Sequence, residues 1–425
     1  MMKPSGFKTW LTVLLILLLL SGCRFMSPQP DPDPDPDPDP DPEPVAFLLG
    51  CEVFMRDYKD LVAGKRVGLV TNQTGVTASG ESLINLFAAD PSIQLTALYG
   101  PEHGIDGIAR AGEYVESYIH AELGIPVYSL YGATRKPTAA MLQDVDVLIF
   151  DIQDIGARTY TYMSTLNYCM DACRRDGLQI IVLDRPNPLG AMIVEGPVLE
   201  DRFITFVGVD NLPMAHGMTA GELARFFNRK IGVNLTVIPM EGYTRDMIFQ
   251  DTGLTFVQTS PNIANLASAF GYMATGLGEG TRVGQQDKFT WIGGTGIDSQ
   301  RFADLLNESG LPGVRYIPDP RGSSGGVRLE IYDYRSFNPA LSGIYALAYA
   351  KQLKSDFVIP KSTASEIVMF DKVMGTDRFG KWLEQNLSPA EIVANYQEDL
   401  NRFKSLRQQY LIYDLTLRSV PAVVE

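Results

Sequence analysis

Between residues 66 and 184 the chain repeatedly runs through a stretch of Val, Ile and Leu and then breaks into a polar, mostly glycine-containing cluster. The runs are "RVGLVTN", "IQLTALYG", "DVLIFDIQDIG" and "LQIIVLDRPNPLG". A strand that is apolar on both faces belongs inside a sheet covered on both sides. Helical stretches lie between the runs: "SGESLINLFAAD", with Ser79 or Gly80 as its start signal, "TAAMLQDV", and "YTYMSTLNYCMDACRRDG" closing on Gly177. "TAGELARFFNRKIG" and the strand "NLTVIPME" continue the pattern. This alternation predicts an α/β fold with a Rossmann-like, doubly wound parallel sheet over residues 45–256. Ligands of such sheets bind beyond the carboxyl ends of the strands. "TNQTG", "GPEHG", "DIQDIGARTY" and "DRPNPLG" all fall at such ends and are expected to converge on one rim.

Residues 257–425 read differently. A Gly-rich segment, "TGLGEGTRVGQQDKFTWIGGTG", precedes the strand "GVRLEIYDY" and the helices "GIYALAYAKQLK" and "AEIVANYQEDLNRFKSLRQQYLIY". This predicts a smaller α+β domain whose Gly-rich segment faces the rim.

The N-terminus reads as targeting sequence. Lys3 and Lys8 precede the apolar "WLTVLLILLLL", and "LLSGC" places small residues before Cys23. This resembles a lipoprotein signal over residues 1–23, with Cys23 as the lipidated residue. Residues 24–44 include "DPDPDPDPDPDPEP", in which alternate prolines fix φ and exclude helix. At roughly 3.1 Å per residue the run is an extended spacer of about 40 Å. The expectation is an exported protein, lipid-anchored to the bacterial envelope and touching membrane only through that anchor.

The formal net charge of -14 argues against nucleic acid as a partner. Cys51, Cys169 and Cys173 remain after Cys23, an odd number without metal-ligand spacing, so no disulfide framework and no metal site is expected. There is no G-x-G-x-x-G after the first strand, no Walker A motif and no G-x-S-x-G elbow. No nucleotide cofactor is indicated, and a serine hydrolase is disfavoured.

The chemistry therefore falls to the rim. Glu102 and His103 stand together, framed by Gly100, Pro101 and Gly104. A carboxyl group beside an apolar wall can hold a proton at neutral pH and donate it. Asp151 ends a strand, and Asp154 and Arg158 follow in the same motif. Arg158 has a fork suited to a carboxylate, either an aspartate of the loop or one on a substrate. His216 precedes a helix that Thr219 and Glu222 open with a capping box, a place where small anions bind. Asn72 and Gln73 of "TNQTG" complete the polar set.

"GLVTNQTGV", "LYGPEHGIDG", "DVLIFDIQDIGARTYTY", "VLDRPNPLG", "EGPVLE", "HGMTAGEL", "SPNI" and "FDKVMGTD" occur here in that order. Together, from about Leu48 to Tyr413, they resemble the NamZ-type exo-β-N-acetylmuramidase family of glycoside hydrolases, formerly a domain of unknown function. The resemblance implies a Rossmann-like domain, a smaller C-terminal domain and an active-site cleft between them. It also implies release of N-acetylmuramic acid from the non-reducing end of peptidoglycan-derived glycans. Carried over, Glu102 is the catalytic acid and His103 supports it. A second carboxylate is needed. Asp151, Asp154 and Asp106 are the choices, with Asp151 favoured. Asn72, Gln73, Asp154, Arg158, His216, Asn262, Glu279 and Arg282 are the expected substrate contacts, Arg158, Arg282 and the backbone near His216 being candidates for the lactyl carboxylate. The segment "GLGEGTRVGQQDKF" departs from the family's pattern, which bears on which saccharide is taken. Two alternatives differ in class: a metal-dependent hydrolase using His103, His216 and Asp151, and a non-catalytic binder of cell-wall glycans.

Overall fold

A computed structural model describes residues 46–415. The expected signal sequence, Cys23 and the Asp-Pro run lie outside the described residues. Seven strands form the large sheet: β1 (Arg66–Thr71), β2 (Gln94–Gly100), β3 (Tyr118–Ile119), β4 (Pro126–Ser129), β5 (Val147–Asp151), β6 (Gln179–Leu183) and β7 (Asn234–Ile238). Their order is β3-β4-β2-β1-β5-β6-β7, parallel except for the edge strand β3. The chain leaves β1 in one direction and returns to its other side at β5. The β1/β5 junction is therefore the switch point where crevices open in doubly wound sheets. Thr71 lies opposite Asp151 in the register, so the segments that follow both strands emerge side by side.

Alternation along the buried strands assigns each side chain to a face. Leu148, Phe150, Ile180 and Val182 enter one apolar cluster, while Val147, Ile149, Ile181 and Leu183 enter a second. Helices α2 (Tyr162–Asp176) and α3 (Ala220–Ile231) pack in the first cluster; α1 (Leu83–Ala89) and the helical turns after Leu49 pack in the second. Both faces are covered, as the apolar runs require. One local expectation is corrected. Helix α1 starts at Leu83, capped by Ser82, whose hydroxyl accepts from the Ile84 N–H at 3.2 Å. Ser79 and Gly80 belong to the preceding turn, where Gly80 has φ 88°.

The second sheet is antiparallel, β10-β11-β9-β8, from β8 (Gly284–Gln286), β9 (Trp291–Thr295), β10 (Val314–Pro318) and β11 (Ser324–Ile331). Helices α4 (Leu266–Thr275), α5 (Ser299–Glu308), α6 (Pro339–Leu353) and α7 (Pro389–Arg407) accompany it. Their buried residues, including Phe270, Phe302, Ile344 and Leu400, join the same apolar cluster as Phe150 and Val182. The core thus continues across residues 256 and 257.

Candidate active site

β2 ends at Gly100, and the backbone turns sharply through "PEHG". His103 has φ 74° and Gly104 φ 80°. Left-handed backbone is uncommon for a residue with a side chain, and such conformations concentrate where a site dictates side-chain direction. The turn carries the Glu102 carboxyl inward until it is 9% exposed. Both of its oxygens are then held. Oε1 accepts from the Gly112 N–H at 2.9 Å, and Oε2 accepts from the Thr161 hydroxyl at 2.6 Å. His103 Nδ1 lies 2.7 Å from the Ala109 carbonyl oxygen, which can only accept. The proton is thereby assigned to Nδ1, and Nε2 of a neutral ring is left as an acceptor.

Glu102 and His103 line a pocket of about 120 Å³ with Ala111, Thr159, Tyr160, Thr161, Ile263 and Tyr272. Asn262 is exposed at its edge, and Phe289 closes the far side. An edge-to-face chain of rings builds the apolar wall: Tyr162 against Tyr160 at 4.8 Å, Tyr160 against Tyr272 at 5.8 Å, Tyr272 against Phe289 at 5.0 Å. Tyr160 is pinned by its hydroxyl donating to Thr259 Oγ1 at 2.8 Å. Burial lifts the Tyr272 hydroxyl to about 12; Thr159 opposes the rise, while the carboxylates of Glu102, Glu279 and Asp154 add to it.

The other candidates separate into three groups. Asp154 and His216 come together, with His216 Nε2 3.5 Å from Asp154 Oδ2. His216 Nδ1 accepts from the Met218 N–H, which leaves the ring proton on Nε2 facing the carboxylate. Asp154 Oδ2 also accepts from the Gly156 N–H at 2.8 Å, whereas the buried Oδ1 accepts from no protein donor. Asn72 and Gln73 form the second group. Asn72 Oδ1 accepts from the Thr74 N–H and hydroxyl, and its buried amide nitrogen donates to no protein acceptor. Gln73 donates to the carbonyls of Gln258 and Thr259 at 2.8 and 3.1 Å, which ties the loop after β1 to the segment that enters the pocket at Ser260. It also fills the space beside Gly107, where any Cβ would collide with its amide.

The third group is engaged elsewhere. Asp151 is fully buried and its two oxygens accept from Arg185 at 2.6 and 2.8 Å. Burial opposes the Arg185 charge, but Asp151 more than offsets that and holds the guanidinium above its ordinary range. Arg158 meets no carboxylate. Its guanidinium donates to the carbonyls of Pro197, Leu212 and Val373, and burial pulls it down to about 9. Arg282 is exposed, pairs with Asp356 at 3.0 Å, and lines a separate hollow with Glu279. Asp106, also exposed, accepts from the Ile108 N–H at 3.2 Å. The N-terminus of α3, expected to attract a small anion, already holds one of the protein's own. Asp184 accepts there from the Gly221 N–H and the Thr219 hydroxyl, both at 2.7 Å.

The family profile described as exo-β-N-acetylmuramidase NamZ, N-terminal, matches residues 67–267, and its C-terminal counterpart matches residues 270–413. The chain belongs to the NamZ family. A curated relative, the peptidoglycan β-N-acetylmuramidase NamZ of Bacillus subtilis (strain 168), is 41% identical over 379 residues, covering 86% of this chain and 91% of the relative. Two solved structures from Bacteroides fragilis NCTC 9343, both DUF1343 family proteins, are also similar. One is 36% identical with a TM-score of 0.78, the other 26% identical with a TM-score of 0.66. Each covers 87% of this chain and 99% of its own.

Within this chain the Glu102 pocket draws residues from both matched regions, since Tyr272 and Phe289 lie in the C-terminal one. His103, His216 and Asp151 do not assemble as a metal-ligand set: among the described residues no three His, Cys, Asp or Glu side chains form one. Cys51, Cys169 and Cys173 are buried free thiols, and burial pushes Cys51 and Cys173 up to about 12. Sequence reasoning missed Thr161, Gly112 and Tyr272. Thr161 was readable only as the residue before a helix, and nothing local connects it with a glutamate 59 positions earlier.

Proposed function

We propose that this chain is an exo-acting glycosidase that releases N-acetylmuramic acid from the non-reducing end of peptidoglycan-derived glycans, with Glu102 as general acid. The observation that carries this reading is the Glu102 carboxyl itself. In a chain of the NamZ family it is drawn into a ring-walled pocket and oriented by two fixed donors, Gly112 N and Thr161 Oγ1. A proton on that carboxyl is delivered to the glycosidic oxygen as the bond to the anomeric carbon breaks. The wall of Tyr160, Tyr272 and Phe289 offers a sugar ring an apolar face and keeps water from the acid.

Asp154 is the second carboxylate in this proposal. A buried acceptor without a protein donor is a polar group that a water or a substrate hydroxyl satisfies. The other oxygen accepts from the Gly156 N–H, with His216 Nε2 3.5 Å away. Asp151, with both oxygens committed to Arg185, supports the sheet instead. The lipoprotein-like signal and the Asp-Pro spacer support an exported protein tethered through Cys23 in the envelope that contains peptidoglycan.

The test is incubation of the protein with the disaccharide in which N-acetylmuramic acid is β-linked to N-acetylglucosamine, with products identified by mass. Free N-acetylmuramic acid is expected. An unchanged disaccharide would refute the assignment.

A further inference from the structure

A muramic acid residue carries a carboxylate on its lactyl ether, so an enzyme selective for it needs a cation near the acid. Arg158 and Arg185 are consumed inside the fold, and Arg282 is paired with Asp356. One further arginine stands differently. Arg135, on the loop after β4, has its guanidinium 4.6 Å from the Tyr131 ring centroid and 5.0 Å from that of Phe206. Those rings contact each other at 5.9 Å, and Tyr168 backs Phe206 at 5.4 Å. Arg135 makes no ion pair with any carboxylate among the described residues.

This platform adjoins Glu102. The Gly112 N–H grips Glu102 Oε1 and, three residues on, the Val115 N–H donates to the Tyr131 carbonyl at 3.2 Å, so one short segment bridges the two. The Tyr131 hydroxyl feels both groups: burial raises it, Arg135 lowers it, and Glu102 raises it again. A guanidinium stacked on aromatic faces is held in plane with its N–H edge free, and that edge matches a carboxylate bidentately.

We infer that Arg135, set on Tyr131 and Phe206 beside Glu102, receives the lactyl carboxylate of the substrate and makes the site selective for an acidic amino sugar. The inference rests on the proposed substrate class, but its test reads binding and not turnover. Two exposed cations compete: Arg110, which lines a neighbouring hollow with His103, and Lys288, which precedes the pocket residue Phe289 in sequence.

Isothermal titration of the full chain with N-acetylmuramic acid and with its methyl ester isolates the charge. The wild type is expected to bind the acid about 10- to 100-fold more tightly than the ester, the range of a charge-assisted hydrogen bond. In Arg135→Gln the two affinities become equal while ester binding is unchanged. Arg135→Lys restores part of the preference, because it returns the charge without the fork. Equal affinities in the wild type, a preference that survives Arg135→Gln, or a preference lost in Arg110→Gln or Lys288→Gln instead would each overturn the inference. A wild type that prefers the acid through Arg135 yet cleaves no disaccharide would leave this inference standing and remove the proposed hydrolase.

Discussion

Thr161 donates its hydroxyl hydrogen to Glu102 across 2.6 Å, at the entrance to α2 and 59 residues away in sequence. Together with the Gly112 N–H on Oε1, this bond on Oε2 fixes the rotation of the carboxyl in the pocket. Thr161→Val keeps the shape and removes the donor. With the Gly112 contact intact, kcat is expected to fall about tenfold, with KM nearly constant, because a misdirected acid costs the chemical step more than binding. Steady-state kinetics on the disaccharide checks the split.

Asp151 and Asp154 stand three residues apart and are expected to fail in opposite ways. Asp151→Asn leaves the buried Arg185 guanidinium without its counter-charge. Breaking a buried pair in this way costs about 3–5 kcal/mol. Urea denaturation should register that loss, while the folded fraction retains its kcat.

Asp154→Asn removes a carboxylate whose Oδ1 has no protein donor. Stability is expected to change by less than about 1 kcal/mol, because no buried cation is abandoned. Turnover should drop by about 10²–10⁴-fold, the range of a lost general acid or base. Denaturation and kinetics on the same preparation separate this variant from Asp151→Asn.

Asp184 gives a pH prediction. Burial lifts its carboxyl to about 6, against the hydrogen bonds from Tyr413, Gly221 and Thr219 that favour the charged form. The folded state therefore binds this proton more tightly than the unfolded state, whose value is 3.8. Its contribution is complete below the unfolded value and is lost as pH rises through about 6. Asp184→Asn keeps an oxygen for the N–H groups of Gly221 and Arg185, and turns its amide toward two hydroxyls able to accept. Between pH 4 and 7 the wild type should lose about 1–3 kcal/mol relative to this variant. Parallel urea curves would contradict the assignment.

The sheet was legible because its strands are apolar on both faces and each ends in a polar cluster, so the rim followed from strand direction alone. The Glu102–His103 turn was legible for a related reason: Gly100, Pro101 and Gly104 mark a bend at a strand end. Partnerships were not. Asp151 reads as a catalytic acid until Arg185 arrives from the end of β6, 34 residues on. Arg158 reads as a carboxylate clamp, yet its acceptors are backbone carbonyls as distant as Val373, which no side-chain pattern announces. Arg135 drew no notice because stacking on Tyr131 and Phe206 leaves no motif.

Glu102→Gln, assayed on two substrates, probes the acid most directly. The natural disaccharide has a sugar alkoxide to expel and needs the proton; a 4-nitrophenyl glycoside of N-acetylmuramic acid has a leaving group stable without one. The variant should lose about 10²–10⁴-fold in kcat/KM on the disaccharide and at least about tenfold less than that on the aryl glycoside. Equal losses on both substrates, or no loss on either, would contradict Glu102 as the group that protonates the departing sugar.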